Sequence, residues 1–225
     1  MKAKHPVPVG SLLAEAFGTF CLVLVGTGAI VINDVSAGAI THVGIALSFG
    51  LVVYAMIHTV GPISGAHLNP AVTLGLTAAG RFDVHKLLPY VASQLCGAFV
   101  ASLCVRLLLP QHPTLGITTP AHTAMQSLFL EGLLTAILVA VILTLSTRDG
   151  AVAADVAGPV GAVIGMEAMF AGPISGASMN PARSIAPAIV SLQIDNLWIY
   201  VVAPLVGAAL AAIIFRACWP TSGQR

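Results

Sequence analysis

The sequence is short of charged residues. Only 8% of its 225 residues are Asp, Glu, Lys or Arg, against about 25% in an average soluble domain. Hydrophobic residues make up 57% of the chain, and the mean hydropathy is +0.97. So few charges cannot cover a water-soluble surface of this size, and the composition therefore indicates a protein embedded in a lipid bilayer.

Metal-binding, nucleic-acid-binding and catalytic patterns are also missing. The four cysteines stand in apolar segments without CxxC or Cys/His spacing, so we expect buried core residues and neither a disulfide nor a zinc site. The net charge is only +1 and no basic run exists, which argues against a nucleic-acid partner. Because no nucleophile is paired with a base, we predict no enzymatic activity, no cofactor and no bound metal.

Long apolar runs dominate what is present. A hydrocarbon core about 30 Å thick needs about twenty apolar residues per helix, and six stretches meet this requirement. The predicted spans are residues 12–32, 42–60, 87–109, 125–146, 155–171 and 196–217.

One stretch occurs twice. Residues 61–73 read GPISGAHLNPAVT and residues 172–184 read GPISGASMNPARS. Asn is a favoured N-cap and Pro is favoured at the first helical position, so each NPA box predicts a short helix, over 69–79 and 180–190. We expect the Gly-Pro-Ile-Ser-Gly segment before each box to be non-helical.

These two short helices cannot cross a bilayer, yet they are too apolar for surface loops. Each is therefore predicted to be re-entrant, since irregular backbone at membrane depth is tolerated where it lines a water-filled cavity. The chain divides into repeats of about 1–110 and 120–225 with three spans each, and an odd number of spans inverts the second repeat. The predicted fold is one all-α channel domain over residues 1–225, with six transmembrane helices and two half-helices in an inverted 3+3 repeat.

The Lys and Arg residues in short loops predict the orientation. The connections near 33–41, 110–124 and 191–196 contain no Lys or Arg. By the positive-inside rule, both termini are expected on the cytoplasmic side. The residues on the predicted cytoplasmic side are Lys2, Lys4, Arg81, Lys86, Arg148, Arg216 and Arg225.

The two boxes also predict the central chemistry. Inverted half-helices aim two positive helix N-termini at one spot, which disfavours cations. The Asn69 and Asn180 oxygens can cap backbone N–H groups while their NH₂ groups point into the gap as donors, and carbonyls over 61–67 and 172–178 supply acceptors. The predicted constriction consists of Asn69, Pro70, Ala71, Asn180, Pro181 and Ala182.

With two NPA boxes, the second extended to Arg183, the chain resembles the aquaporin or major intrinsic protein family along its whole length. The wording of the boxes is most similar to the nodulin-like, aquaglyceroporin-type branch. The resemblance implies a homotetramer with one pore per subunit, placed in the cell membrane, and a passive channel for neutral molecules.

The resemblance also implies a four-residue selectivity filter, carried over by spacing from the boxes. Its members here are Phe49, Ala168, Ala177 and Arg183. Strict water channels of the family usually have His at the position of Ala168 and Thr or Cys at that of Ala177. In glycerol channels of the family one of these two positions is bulky. The two alanines depart from both patterns and predict a wider opening.

Four further polar residues stand in or beside the apolar segments. Glu15 and Glu131 occupy matching places in the two repeats and are expected to accept hydrogen bonds from the re-entrant loops. Glu167 has no repeat partner and is predicted to stand behind the filter, bonded to backbone or to Arg183, with a carboxyl facing another helix or subunit as the alternative. His67 is expected to pack under the pore or line it.

The predicted function is a passive channel for water and small uncharged solutes that excludes protons and ions. Glycerol, urea and undissociated metalloid hydroxides such as arsenous or boric acid are the expected solutes. A strict water channel is the alternative, and a secondary transporter, whose folds also use inverted repeats, is the less favoured one.

Overall fold

The computed structural model describes residues 6–146 and 152–219, which form eight α-helices and no β-strand. Lys2, Lys4, Arg148 and Arg225, used above for orientation, lie outside these residues. The helices in chain order are α1 (Val9–Val35), α2 (Thr41–Ser64), α3 (Pro70–Ala78), α4 (Val84–Leu108), α5 (Ala124–Ser146), α6 (Ala153–Ser175), α7 (Pro181–Ser191) and α8 (Ile199–Cys218).

Six of these helices are long and apolar enough to cross a bilayer, which confirms the predicted number of spans. The other two, α3 and α7, have 9 and 11 residues and follow the two NPA boxes. Each half of the chain thus contains three spans and one half-helix, as the sequence predicts.

The prediction of non-helical Gly-Pro-Ile-Ser segments is wrong. Both segments continue the preceding helix, and α2 and α6 end only at Gly65 and Gly176, whose φ angles are +90° and +87°. A left-handed glycine ends a helix, and the Gly65 N–H closes the last turn on the Gly61 carbonyl at 2.9 Å. Pro62 and Pro173 stay inside the last turn, where each removes only one backbone donor. The non-helical backbone is limited to residues 65–69 and 176–180, named here the first and second pore loops.

Close helix crossings at glycine hold the spans together. On α4, a Cβ added at Gly97 would overlap the Ala16 carbonyl of α1, and on α8 one at Gly207 would overlap the Gly132 carbonyl of α5. Both repeats therefore use a glycine to bring the backbone of their last span against that of their first. Lipid chains offer no hydrophobic drive for helix association, so this backbone approach supplies the packing.

We expect Gly207→Val to destabilise the folded protein by about 1–3 kcal/mol, because the valine side chain must displace the backbone of α5. Gly28→Val on α1 is the matched control, since a Cβ at Gly28 meets nothing within 4 Å. Thermal unfolding of the purified variants in detergent measures the difference. Equal melting temperatures for the two variants would contradict the role of the α5–α8 crossing.

Candidate functional site

The two half-helices begin at their NPA boxes. Asn69 and Asn180 have extended backbones with φ of −157° and −143°, and a proline follows each at the first helical position. The Asn69 side-chain oxygen accepts the Ala71 N–H at 2.8 Å, and that of Asn180 accepts the Ala182 N–H at 3.0 Å. Both asparagines therefore cap their half-helices in the same way.

The two caps are also bonded to one another's loops. Asn69 Nδ2 donates to the Met179 carbonyl at 2.8 Å, and Asn180 Nδ2 donates to the Leu68 carbonyl at 2.9 Å. Each accepting residue directly precedes the other asparagine, so the relation is reciprocal, as an inverted repeat requires. This corrects the expectation that both NH₂ groups point freely into the gap. An amide nitrogen carries two N–H groups, so one on each asparagine remains for a passing molecule.

A buried carboxylate binds each pore loop from behind. Glu15 accepts the Ser64 hydroxyl at 2.7 Å and the backbone N–H groups of His67 and Leu68 at 2.9 and 2.8 Å. Glu15 and its counterpart Glu131 are both fully buried. Charge-assisted hydrogen bonds of this kind are about twice as strong as neutral ones.

The second repeat reproduces this arrangement. Glu131 accepts the Ser175 hydroxyl at 2.7 Å and the N–H groups of Ser178 and Met179 at 2.9 and 2.8 Å. Both carboxylates thus bind the residues that precede an NPA box.

The pore loops need this support because their backbone is strained. Ala66, Leu68, Ala177 and Met179 all have φ between +42° and +54°, a region that costs a non-glycine residue roughly 1–3 kcal/mol. The loops direct backbone carbonyls away from the protein's own donors. No described residue donates to the carbonyls of residues 65–67 or 176–178. The predicted ladder of acceptors is therefore shorter than expected, since residues 61–64 and 172–175 are helical.

One cavity of about 470 Å³ contains both asparagines and all four predicted filter residues in its wall. It extends from Arg81 and Val152 to Phe49 and Arg183. A buried carbonyl without a protein partner requires water or solute as its donor, and the pore-loop residues lie against this space. Among its lining residues are Phe49, His67, Asn69, Ala168, Ala177, Asn180 and Arg183.

Arg183 is held beside the aromatic member of the predicted filter. Its guanidinium carbon lies 5.2 Å from the centre of the Phe49 ring, and its Nη1 donates to the Gly116 carbonyl at 2.8 Å. The side chain is only 2% exposed. Ala168 and Ala177, from α6 and the second pore loop, line the same cavity.

His67 both packs within the protein and lines the pore, the two positions expected for it. Its Nδ1 lies 3.2 Å from the Thr73 hydroxyl, and its ring packs edge-on against Phe82 with centroids 4.6 Å apart. The residue also lines the cavity. Packing within the protein and contact with the pore are therefore compatible.

Among the residues that the structure describes, Glu167 makes neither of its predicted bonds, to Arg183 or to backbone. Both Glu167 carboxyl oxygens are buried without a hydrogen-bond partner among the described residues. The α6 residues in the cavity wall follow a spacing of four, as Val160, Ile164 and Ala168 do. Glu167 is one position, or about 100°, away from that stripe, which explains why its side chain does not reach the guanidinium.

Sequence reasoning missed several residues that support the site. Gln94 of α4 donates to Glu15 at 2.7 Å and to the Thr73 hydroxyl at 2.9 Å. Tyr90 and Tyr200 donate to the carbonyls of Ser64 and Ser175, which are the last residues of α2 and α6. The two tyrosines could have been found from the sequence, because each lies at the matching position in the third span of its repeat. Gln94 has no counterpart in the second repeat.

The comparisons with known proteins agree with this geometry. The sequence model of the family described as Major intrinsic protein matches residues 2–215. The chain belongs to the major intrinsic protein family. It is accordingly a multi-pass membrane channel for water and small solutes and not an enzyme, which sets the secondary transporter aside.

Relatives and a solved structure are similar over most of the chain. Aquaporin NIP1-4 of Oryza sativa is 44% identical over 89% of this chain and 74% of its own length. Nodulin-26 of Glycine max is 38% identical over 91% of this chain and 76% of its own. The aquaglyceroporin from Plasmodium falciparum superposes with a TM-score of 0.84 at 26% identity, covering 92% of this chain and 95% of that one.

We expect Glu131→Gln to destabilise the protein strongly and Glu167→Gln to leave its stability nearly unchanged. A glutamine at 131 would present an NH₂ group to backbone N–H donors, leaving at least one buried donor unsatisfied at a cost of about 1–3 kcal/mol. Glu167 has no such bonds to lose. Thermal unfolding in detergent compares the two variants, and a larger loss for Glu167→Gln would contradict this assignment.

Proposed function

We propose that the chain is a passive channel of broad selectivity, for water and for small uncharged solutes such as glycerol, urea and undissociated arsenous or boric acid. The observation that carries the proposal is the pair of alanines, Ala168 and Ala177, in the cavity wall that also contains Phe49 and Arg183. Two methyl groups leave space where a histidine or a second bulky residue would narrow the opening.

The remaining two filter residues suit hydroxyl-bearing solutes. Phe49 offers an apolar face to a carbon or metalloid skeleton. Arg183 makes one side-chain hydrogen bond to the described residues, with Gly116, and a guanidinium has five N–H donors. A polyol can therefore receive hydrogen bonds on one side while its carbon chain contacts the ring on the other.

The centre of the cavity suits neutral molecules and opposes cations. Each half-helix N-terminus has about half a positive charge, and the remaining N–H groups of Asn69 and Asn180 would both donate to the oxygen of a passing water. A water whose oxygen accepts two hydrogen bonds there cannot accept another from a neighbouring water, which interrupts the chain of waters along which protons would pass. The fixed positive charge of Arg183 adds a second barrier to cations.

A strict water channel remains the alternative because the loop between α4 and α5 contacts a residue of the predicted filter. Gly116 of this loop bonds directly to Arg183. If residues of this loop themselves narrowed the opening, solutes larger than water would be excluded despite the alanines. Solute flux separates the two functions.

We further propose that the protein is a homotetramer in the cell membrane with cytoplasmic termini, built from inverted repeats over about 1–110 and 120–225. Basic side chains at one end support this orientation: the Arg81 guanidinium lies 5.5 Å from the Phe215 ring centre, and Arg216 donates to the Ala78 carbonyl. Large apolar side chains on the outer faces, such as Phe17 at 50% and Phe129 at 74% exposure, suit lipid or a neighbouring subunit.

We expect Ala168→His to reduce glycerol permeability by at least about tenfold and water permeability by much less. An imidazole would fill space that a three-carbon solute needs, and a misfit of this size is worth roughly 1–3 kcal/mol in the barrier. Stopped-flow light scattering of reconstituted vesicles measures both permeabilities.

Ala168→Ser is the matched control, because it adds a hydroxyl group but little volume and should keep the glycerol flux. Equal loss of water and glycerol permeability in Ala168→His would count against Ala168 as a filter residue. Unchanged glycerol permeability in that variant would do the same.

A further inference from the structure

The Gly116 carbonyl that holds Arg183 belongs to the loop over residues 109–123. Its position is tightly defined, because Gly116 has a φ of +73° and a Cβ there would lie 3.0 Å from both Cβ and the carbonyl oxygen of Thr27 in α1. Nη1 of Arg183 donates to this carbonyl at 2.8 Å. A shift of the turn at Gly116 would therefore move the acceptor of the guanidinium.

His112 supports this turn from the side. Its Nδ1 accepts the backbone N–H of Leu115 at 3.1 Å, and Leu115 directly precedes Gly116. Leu115 is fully buried and has a φ of +54°. A buried, strained residue whose N–H lost this acceptor would have an unsatisfied donor, which is costly. The bond requires Nδ1 without a proton, so the ring N–H is on Nε2, which lies 3.5 Å from Asp34 Oδ2.

Other elements hold the His112 segment in place. Arg106 of α4 donates from Nη1 to the carbonyls of Pro110 and His112 at 3.0 and 2.9 Å. Gln193, in the segment after α7, donates to the Pro113 carbonyl at 2.8 Å. The charged groups in contact with His112 are therefore Asp34 from α1 and Arg106 from α4. Asp34 is 53% exposed, whereas the His112 side chain is 7% exposed.

We propose that His112 is a positioning residue for the selectivity filter. It acts through the Leu115 N–H and the Gly116 carbonyl on the guanidinium of Arg183. Its hydrogen-bond and ion-pair partners Asp34, Arg106 and Leu115 do not line the cavity. The inference rests on the proposed role of Arg183 in selecting solutes. The outer loop then serves to hold the Gly116 carbonyl within hydrogen-bond distance of Arg183.

The protonation state of His112 decides whether this support exists. A protonated imidazole has two N–H donors and no acceptor, so the Leu115 N–H loses its partner when Nδ1 takes up a proton. The turn at Gly116 then relaxes and its carbonyl withdraws from Arg183. The freed guanidinium turns to acceptors in the cavity, such as the unbonded carbonyls of the second pore loop, and narrows the opening.

The test compares glycerol and water permeability in reconstituted vesicles held on both sides at about pH 7.5 or about pH 5.0, with acidification as the means of protonating the imidazole. For the unmodified protein we expect glycerol permeability at the lower pH to fall about three- to tenfold, which corresponds to the loss of one net hydrogen bond. Water permeability should fall less, because water is smaller.

Two substitutions separate positioning from general support of the fold. In His112→Asn, the side-chain oxygen stands where Nδ1 stood and cannot be protonated, so glycerol permeability should stay high at both pH values. In His112→Phe, the acceptor is lost, so permeability should be low at both pH values. His122→Asn changes an exposed histidine of the same loop and should keep the pH response of the unmodified protein.

Several results would overturn the proposal. They are a fall in permeability on acidification that persists in His112→Asn, a normal glycerol permeability of His112→Phe at pH 7.5, and an unmodified protein without any pH response. If the unmodified protein passes no glycerol at either pH, the proposed function fails instead. The pH response of water permeability in the unmodified protein, His112→Asn and His112→Phe then decides the role of His112. Thermal unfolding shows whether His112→Phe is folded, and His112→Asn decides the matter if it is not.

Discussion

Two reciprocal hydrogen bonds join the halves of this channel at its centre. The Asn69 and Asn180 amides each donate to the carbonyl that precedes the other asparagine, so the two half-helices meet at one place. Membrane-depth backbone that is neither helical nor in a closed barrel needs every polar group paired or facing water. The pore loops meet this demand in two directions, with N–H groups bound by Glu15 or Glu131 behind them and carbonyls left for the cavity in front.

This division explains why the strained loop backbone persists. A left-handed conformation at Ala66, Leu68, Ala177 and Met179 turns alternate peptide groups in opposite senses. N–H groups then converge on a carboxylate, while neighbouring carbonyls remain for water or solute. The strain is therefore part of how the pore wall becomes an acceptor surface, and the carboxylates stabilise it.

Features that occur in both repeats could be predicted from the sequence. The six spans, the two half-helices and the matching positions of Glu15 and Glu131 all follow from hydropathy, helix-capping preferences and duplication. The predicted non-helical Gly-Pro-Ile-Ser segments are wrong because the glycine after each segment, and not the proline within it, ends α2 and α6. The direction of the asparagine NH₂ groups could not be foreseen either, since it depends on a contact between segments far apart in the chain.

Features that occur in only one repeat could not be predicted, because the duplication gives no signal for them. Gln94 and Gly116 reach the site from α4 and the outer loop without any counterpart in the other half. The environment of Glu167 depends on the rotation of α6 about its axis, and a single residue position decides whether a side chain faces the pore. In the proposed function, selectivity therefore depends partly on features without a counterpart in the first repeat, namely Arg183 and the loop that bonds to it.

The most direct test of this account is the response of reconstituted vesicles of the unmodified protein to hyperosmotic glycerol, with an internal pH dye recording proton entry. The account predicts rapid shrinkage followed by channel-dependent re-swelling, without proton entry above that of empty vesicles. Vesicles that shrink but never re-swell in glycerol, urea or arsenous acid would contradict broad selectivity. Re-swelling accompanied by channel-dependent proton entry would contradict the constriction formed by the two asparagines.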